Sequence, residues 1–156
     1  MITDKGPRVL EFNARFGDPE TQVIMARMRS DIVPILQGVA EGHLKETKID
    51  WAKEAAVCVV VTARGYPDAP EIGHEIKGLE KLQGQSDAMV FHAATAKRDG
   101  KTITVGGRVL GVTALGANLD AAVQRAYEAV KKISFEGMHY RKDIGQKALA
   151  RLHAPR

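Results

Sequence analysis

GGRVLGVTALGANLDAAVQRAYEAVKKI, residues 106–133, carries a strand and a helix in succession. Two glycines open a β-rich run that reaches Gly116. Asn118 then reads as the cap of a long helix, since a short polar side chain can accept from the helix's first free amides. Leu119, Ala122, Val123, Ala126, Tyr127, Val130 and Ile133 fall at the 3–4 residue spacing of one buried face. Lys131 and Lys132 suit the negative end of its dipole. One strand passing directly into one amphipathic helix sets the expectation for everything around it.

Upstream, AAVCVVVTA (55–63) is a second β-rich run, stopped by the breaker GYPDAP. AMVFHAAT (88–95) alternates as a strand, KRDGK supplies an Asp-Gly turn, and TITV returns as the other arm of a hairpin. The stretch 71–87 is rich in glycine and charge and reads as irregular, and the tail after 133 as a loop and a short last helix. Nearer the amino end, VLEFNARFGDPETQ (9–22) alternates as a strand over about 8–14, with Glu11, Asn13 and Arg15 on one face and Leu10, Phe12 and Ala14 on the other. Asp18-Pro19-Glu20 has the form of a helix start, with Asp18 as N-cap. A second helix is expected from Ser30 to Gly42, burying Ile32, Ile35, Leu36 and Val39. HLKETKID at 43–50 is a polar connection, and Trp51 reads as a packing anchor at the junction. The class is α+β, with a first unit over 1–45 and a second over 46–156. Strand 8–14 lacks an evident partner before the texture changes at about 43, and looks like the end of a larger sheet.

Composition narrows the function. The chain has 156 residues, enough for one domain or a domain plus part of another. Only 5% of it is aromatic and its net charge is +4, with acids between the bases, which argues against a nucleic-acid partner. The lone Cys58 lies in an apolar run and reads as a small core residue in a reducing compartment. No apolar run spans a bilayer and MITDKGPR lacks a signal-peptide core, so a cytoplasmic location without membrane contact is expected. The five histidines show no metal-ligand spacing.

Chemistry concentrates near the amino end. Magnesium takes hard oxygen ligands, commonly a carboxylate or two plus phosphate oxygens, and Glu11 with Asn13 could supply two. Arg15, two residues further on, suits bidentate capture of a carboxylate or acyl phosphate. An exposed polar strand face would look the same on so short a pattern. In the second unit, Gly106 and Gly107 permit close backbone approach, and Arg108 offers a planar fork suited to phosphate.

The longer string EFNARFGDPETQ closely resembles the signature of the phosphoribosylamine–glycine ligase (glycinamide ribonucleotide synthetase) family, within the ATP-grasp superfamily. SDIVPILQGVAEGHL and the run from VFHAATAKRDGK to DIGQKAL extend the resemblance over almost the whole chain. It implies that residues 1–45 end an ATP-grasp domain and that 46–156 form the small second domain of this enzyme type. It implies that Glu11 and Asn13 hold Mg²⁺ (or Mn²⁺) against ATP and that Arg15 holds the glycine carboxylate or glycyl phosphate. Asp18 and Glu20 would face the acceptor amine, and Gly107 and Arg108 the ribose 5-phosphate. The implied reaction joins glycine to 5-phosphoribosylamine at the expense of ATP, in purine biosynthesis. Family members carry further domains before the signature, including the adenine pocket, so those missing domains are the expected partners and the chain alone is expected to be inactive. Ala94 stands where the family usually has Gly. The competing expectations are a free-standing, non-catalytic module that binds a phosphorylated sugar or a partner chain, and a basic nucleic-acid-binding domain. An exposed apolar strand edge also favours self-association.

Overall fold

In a computed structural model of the chain, residues 1–12 and 14–154 are described. A two-residue hairpin, β1 (Ile2–Thr3) and β2 (Gly6–Pro7), precedes two helices, α1 (Glu20–Arg27) and α2 (Ile32–Glu41). The strands β3 (Ala55–Thr62), β4 (Ala88–His92), β5 (Thr95–Arg98), β6 (Lys101–Thr104) and β7 (Arg108–Gly116) follow. The helix α3 (Leu119–Val130), the short strand β8 (His139–Tyr140) and the helix α4 (Gln146–Leu152) complete the order. The result is α+β with antiparallel sheets. Four strands form one sheet in the order β4-β7-β3-β8, while β5 and β6 pair as a separate hairpin.

The two β-rich runs lie side by side at the centre of the sheet. Val57, Val59 and Val61 of β3 pair with Ala114, Val112 and Leu110 of β7. These residues share a face with Ala122, Val123, Ala126 and Val130 of α3 in one apolar core. Asn118 caps α3 as expected, its side chain accepting from Ala121 N at 2.9 Å. The opposite face of the sheet presents Cys58, Val60, Gly111 and Thr113 to α1, where the Gln22 side chain lies over Gly111. The sheet is therefore covered by α3 on one side and α1 on the other.

The expected hairpin at KRDGK forms: Asp99 (φ 49°) and Gly100 (φ 76°) both take the left-handed conformation of a tight two-residue turn. The run 88–95 does not stay one strand, however. It pairs with β7 only to His92, and Thr95 then turns to pair with Thr104.

Five expectations over residues 8–51 are corrected. Residues 8–12 are not a strand; they run irregularly after β2. Val9 (71%), Leu10 (72%) and Phe12 (90%) are exposed, because no neighbouring strand satisfies the backbone or covers the apolar face. Asp18 does not cap α1: the N-cap position is Pro19, without a side-chain bond, and the Asp18 carboxylate turns elsewhere. In α2, Asp31 rather than Ser30 caps the helix, accepting from Val33 N at 2.9 Å, and Gly42 (φ 82°) ends it as expected. Of the apolar stripe on α2 only Ile35 is buried, since Leu36 and Val39 face outward with no element over them. Trp51 is half exposed; the junction is fastened instead by backbone bonds, Arg29 N to Asp50 O and Ala52 N to Arg27 O.

Cys58 is buried at the α1 face, as its apolar run suggested. Desolvation pushes its thiol above the ordinary range, outweighing a contact from Thr113. Because the folded value is raised, the native state favours the protonated thiol, and the associated stability is lost as pH climbs through that folded value. Alkylation by iodoacetamide at pH 8 is expected to be at least roughly tenfold slower in the native chain than in denaturant. Equal rates would contradict a buried thiol.

Candidate functional site

Two elements of the candidate site meet through a defect in the sheet. Val61 pairs with Leu110, yet the next residue, Thr62, pairs with Arg108, so Val109 is an extra residue on β7. Strict alternation would put Arg108 on the α3 face with Leu110. The bulge re-aims it to the α1 face instead. There its Nη1 donates to the Asp18 backbone carbonyl at 3.2 Å and lies 3.4 Å from Asp18 Oδ2. Asp18 Oδ1 also accepts from Gln22 Nε2 at 2.8 Å. Both side chains are about two-fifths exposed, so the ion pair adds little stability; its consequence is position.

Glu20 folds back over Gly17, whose missing side chain leaves the space that the Glu20 carboxylate occupies. Gly107 has the same relation to Tyr66: a side chain there would overlap the Tyr66 ring, and the Gly107 carbonyl accepts from Ala63 N at 2.9 Å. The close approach expected at Gly107 is thus made by an aromatic ring of this chain. Gly106 similarly abuts Ala94, with 2.8 Å to its Cβ for any added methyl.

Glu11 and Arg15 are both exposed, and Arg15 Nη1 donates to the Phe16 carbonyl at 3.0 Å. Asn13 lies outside the described residues. Glu11 and Asn13 are oxygen donors of the type that Mg²⁺ prefers, but two side chains leave most of an octahedral shell to phosphate oxygens and water. Among the described residues no three His, Cys, Asp or Glu side chains converge as a metal site.

A cavity of about 420 Å³ opens beside Arg108. Pro19, Cys58, Val60 and Ile144 give it apolar walls, and Thr62, Tyr66, His139, Tyr140 and Arg141 bring polar groups. Its charged side chains are Arg108 and Arg141, and no carboxylate lines it. That size and that mixture suit a small ligand with an anionic end. Arg141 is itself held by Asp143, at 2.9 Å through Nε and 2.6 Å through Nη2. The guanidinium keeps the Asp143 carboxyl below the usual carboxylate range. A second hollow of about 620 Å³ adjoins this one, sharing Thr62, Tyr66 and His139. Of these residues the sequence pointed to Arg108 alone. Nothing in the spacing of YRKD (140–143) shows that Arg141 lines the same cavity as Arg108.

A family model described as "Phosphoribosylglycinamide synthetase, C domain" matches residues 56–147. The chain belongs to that family. The matched synthetase segment runs from β3 into α4, so it contains both arginines of the cavity, while Asp18 and Pro19 precede it. The phosphoribosylamine–glycine ligase of Caulobacter vibrioides is 51% identical over 151 residues, covering 96% of this chain and 35% of its own length. That of Brucella melitensis is 44% identical along 156 residues, all of this chain and 36% of its own length. A crystal structure of the phosphoribosylamine–glycine ligase of Thermotoga maritima shares the fold, with a TM-score of 0.70 at 40% identity over 92% of this chain and 35% of that one. The chain thus spans about a third of the length of the relatives it matches. Among its described residues, no helix is long and apolar enough to cross a membrane.

Proposed function

We propose that this chain is the carboxy-terminal part of a phosphoribosylamine–glycine ligase, in which residues 1–45 close an ATP-grasp domain and 46–156 form the second domain. The whole enzyme would act in the cytoplasm in purine biosynthesis, converting ATP, glycine and 5-phosphoribosylamine to ADP, phosphate and glycinamide ribonucleotide. Glycine's carboxylate is a poor electrophile, which is why phosphorylation to glycyl phosphate precedes attack by the amine. Arg15 holds that carboxylate as a planar fork can, fixing the acyl carbon for attack. Glu11 and Asn13 would hold Mg²⁺ (or Mn²⁺), which when bound offsets charge on the transferred phosphoryl group. Asp18 and Glu20 stand at the acceptor side, and Arg108, with the Gly107 backbone beside it, takes the sugar phosphate.

One observation carries this reading: Asp18 of the signature segment touches Arg108, 90 residues later, beside a cavity that Arg108 and Arg141 line. The contact joins the segment assigned to glycine activation to the one assigned to the phosphorylated amine. The test is a chimaera in which these 156 residues replace the aligned third of the Caulobacter vibrioides ligase. ADP release is expected only when glycine and phosphoribosylamine are both present, at a rate within roughly tenfold of the parent, about 1.4 kcal/mol in barrier. A folded, soluble chimaera without that dependence would refute the assignment.

A further inference from the structure

The second arginine of the cavity has no role in the reading above, yet the fold holds it in place at both ends. Its backbone carbonyl accepts from the Tyr127 hydroxyl at 2.8 Å, and the same hydroxyl accepts from Ile144 N at 3.1 Å. Tyr127 lies on α3, so one phenol fastens both ends of the turn 141–144 to the helix behind it. The rings of Tyr127 and Tyr140 are 6.1 Å apart, which steadies the residue just before Arg141. At the side-chain end, Asp143 takes Nε and Nη2. No described residue accepts from Arg141 Nη1, which leaves an end of the fork for a ligand. Arg108 is arranged alike: Asp18 takes its Nη1, and no described residue accepts from its Nε or Nη2.

An ordinary surface arginine must be ordered when it binds, at a cost in side-chain entropy. The Arg141 side chain is 69% exposed, but its Nε and Nη2 are already paired with Asp143, and it lines the same cavity as Arg108, where no carboxylate stands among the described lining residues. Resting on the phosphosugar reading of this cavity, we propose that Arg141 is a second phosphate-binding residue, reaching the anion from the turn after β8, with Asp143 and Tyr127 as its positioning residues. Two guanidinium groups on separate elements fit a phosphate monoester, whose oxygens can accept from both, better than a carboxylate.

The test is equilibrium titration of the 156-residue chain with ribose 5-phosphate, with ribose and inorganic phosphate as separate arms and thermal unfolding as a check on folding. The wild-type chain is expected to bind ribose 5-phosphate and not ribose. Arg141→Ala should weaken that binding roughly ten- to a hundred-fold, the usual range for losing a charged hydrogen-bonding partner. Arg141→Lys should recover part of it through charge alone. Tyr127→Phe, which keeps the ring and removes the fastening hydroxyl, should weaken binding several-fold with Arg141 still present. If Arg108→Ala abolishes binding while folded Arg141→Ala binds as wild type, the proposal for Arg141 fails and the reading of Arg108 stands. If the wild-type chain binds neither ribose 5-phosphate nor phosphate, both fall.

Discussion

Truncating Leu110 to alanine is expected to cost about 2–5 kcal/mol of folding stability, and to lower the melting temperature by roughly 4–20 °C. Leu110 is 1% exposed on the central strand β7, with β3 on one side and β4 on the other. Its neighbours on the core face, Val59, Val61 and Val112, are branched at Cβ and fully buried, so they have little rotamer freedom to fill the gap. The cost should therefore lie well above the transfer term for the lost methyls. Leu36→Ala is the matched control: the same chemistry on α2, at a side chain 44% exposed, should change stability by less than about 0.5 kcal/mol. Urea denaturation of both variants measures the difference. A Leu110→Ala loss under about 1 kcal/mol would mean that β7 does not centre the core.

Gly116→Ala reaches the same core from the other direction. A side chain at Gly116 would run into backbone atoms of Ala121 and Ala122 in the first turn of α3. Backbone cannot swing aside as a side chain can, so the start of α3 must lift from the sheet. A loss of about 1–3 kcal/mol is expected from the same denaturation experiment.

What could be read from the residues follows how local the determining physics is. The β7–α3 passage was legible because a β-rich run, a helical periodicity and the Asn118 cap lie within one short stretch, and the structure keeps all three. The 97–101 hairpin was legible because an Asp-Gly pair demands its own turn geometry. The failures share a cause. Leu10, Phe12, Leu36 and Val39 have the right spacing to be buried, but spacing says only that a face is apolar, not that anything covers it. The bulge at Val61/Thr62 carries no local signal either, yet it decides on which side of the sheet Arg108 lies. Asp18 had two equally good local readings, cap or functional acid, and only a partner 90 residues away chose against the cap. Arg141 was visible as a charge, and its surroundings came from α3 and β8 together.

In the Caulobacter chimaera, Arg15→Ala is expected to lower kcat/KM by roughly a hundred- to a thousand-fold, the range seen when one donor to a developing charge is removed. Arg15 is exposed, and the one hydrogen bond its side chain makes among the described residues is to the carbonyl of the next residue, Phe16. A contact of that kind is worth little to folding, so truncation should leave the melting temperature within about 1 °C. Large loss of rate with unchanged stability is the pattern of a group that acts on a substrate. Arg15→Lys should recover only part of the rate, because an ammonium carries the charge but not the fork. In the 156-residue chain alone neither wild type nor variant should form glycinamide ribonucleotide, since about two-thirds of the relatives' length is not in it. Product formed by the isolated chain would show that the proposed division of labour is wrong. An Arg15→Ala chimaera as fast as its parent would remove Arg15 from the chemistry, whatever became of Arg108.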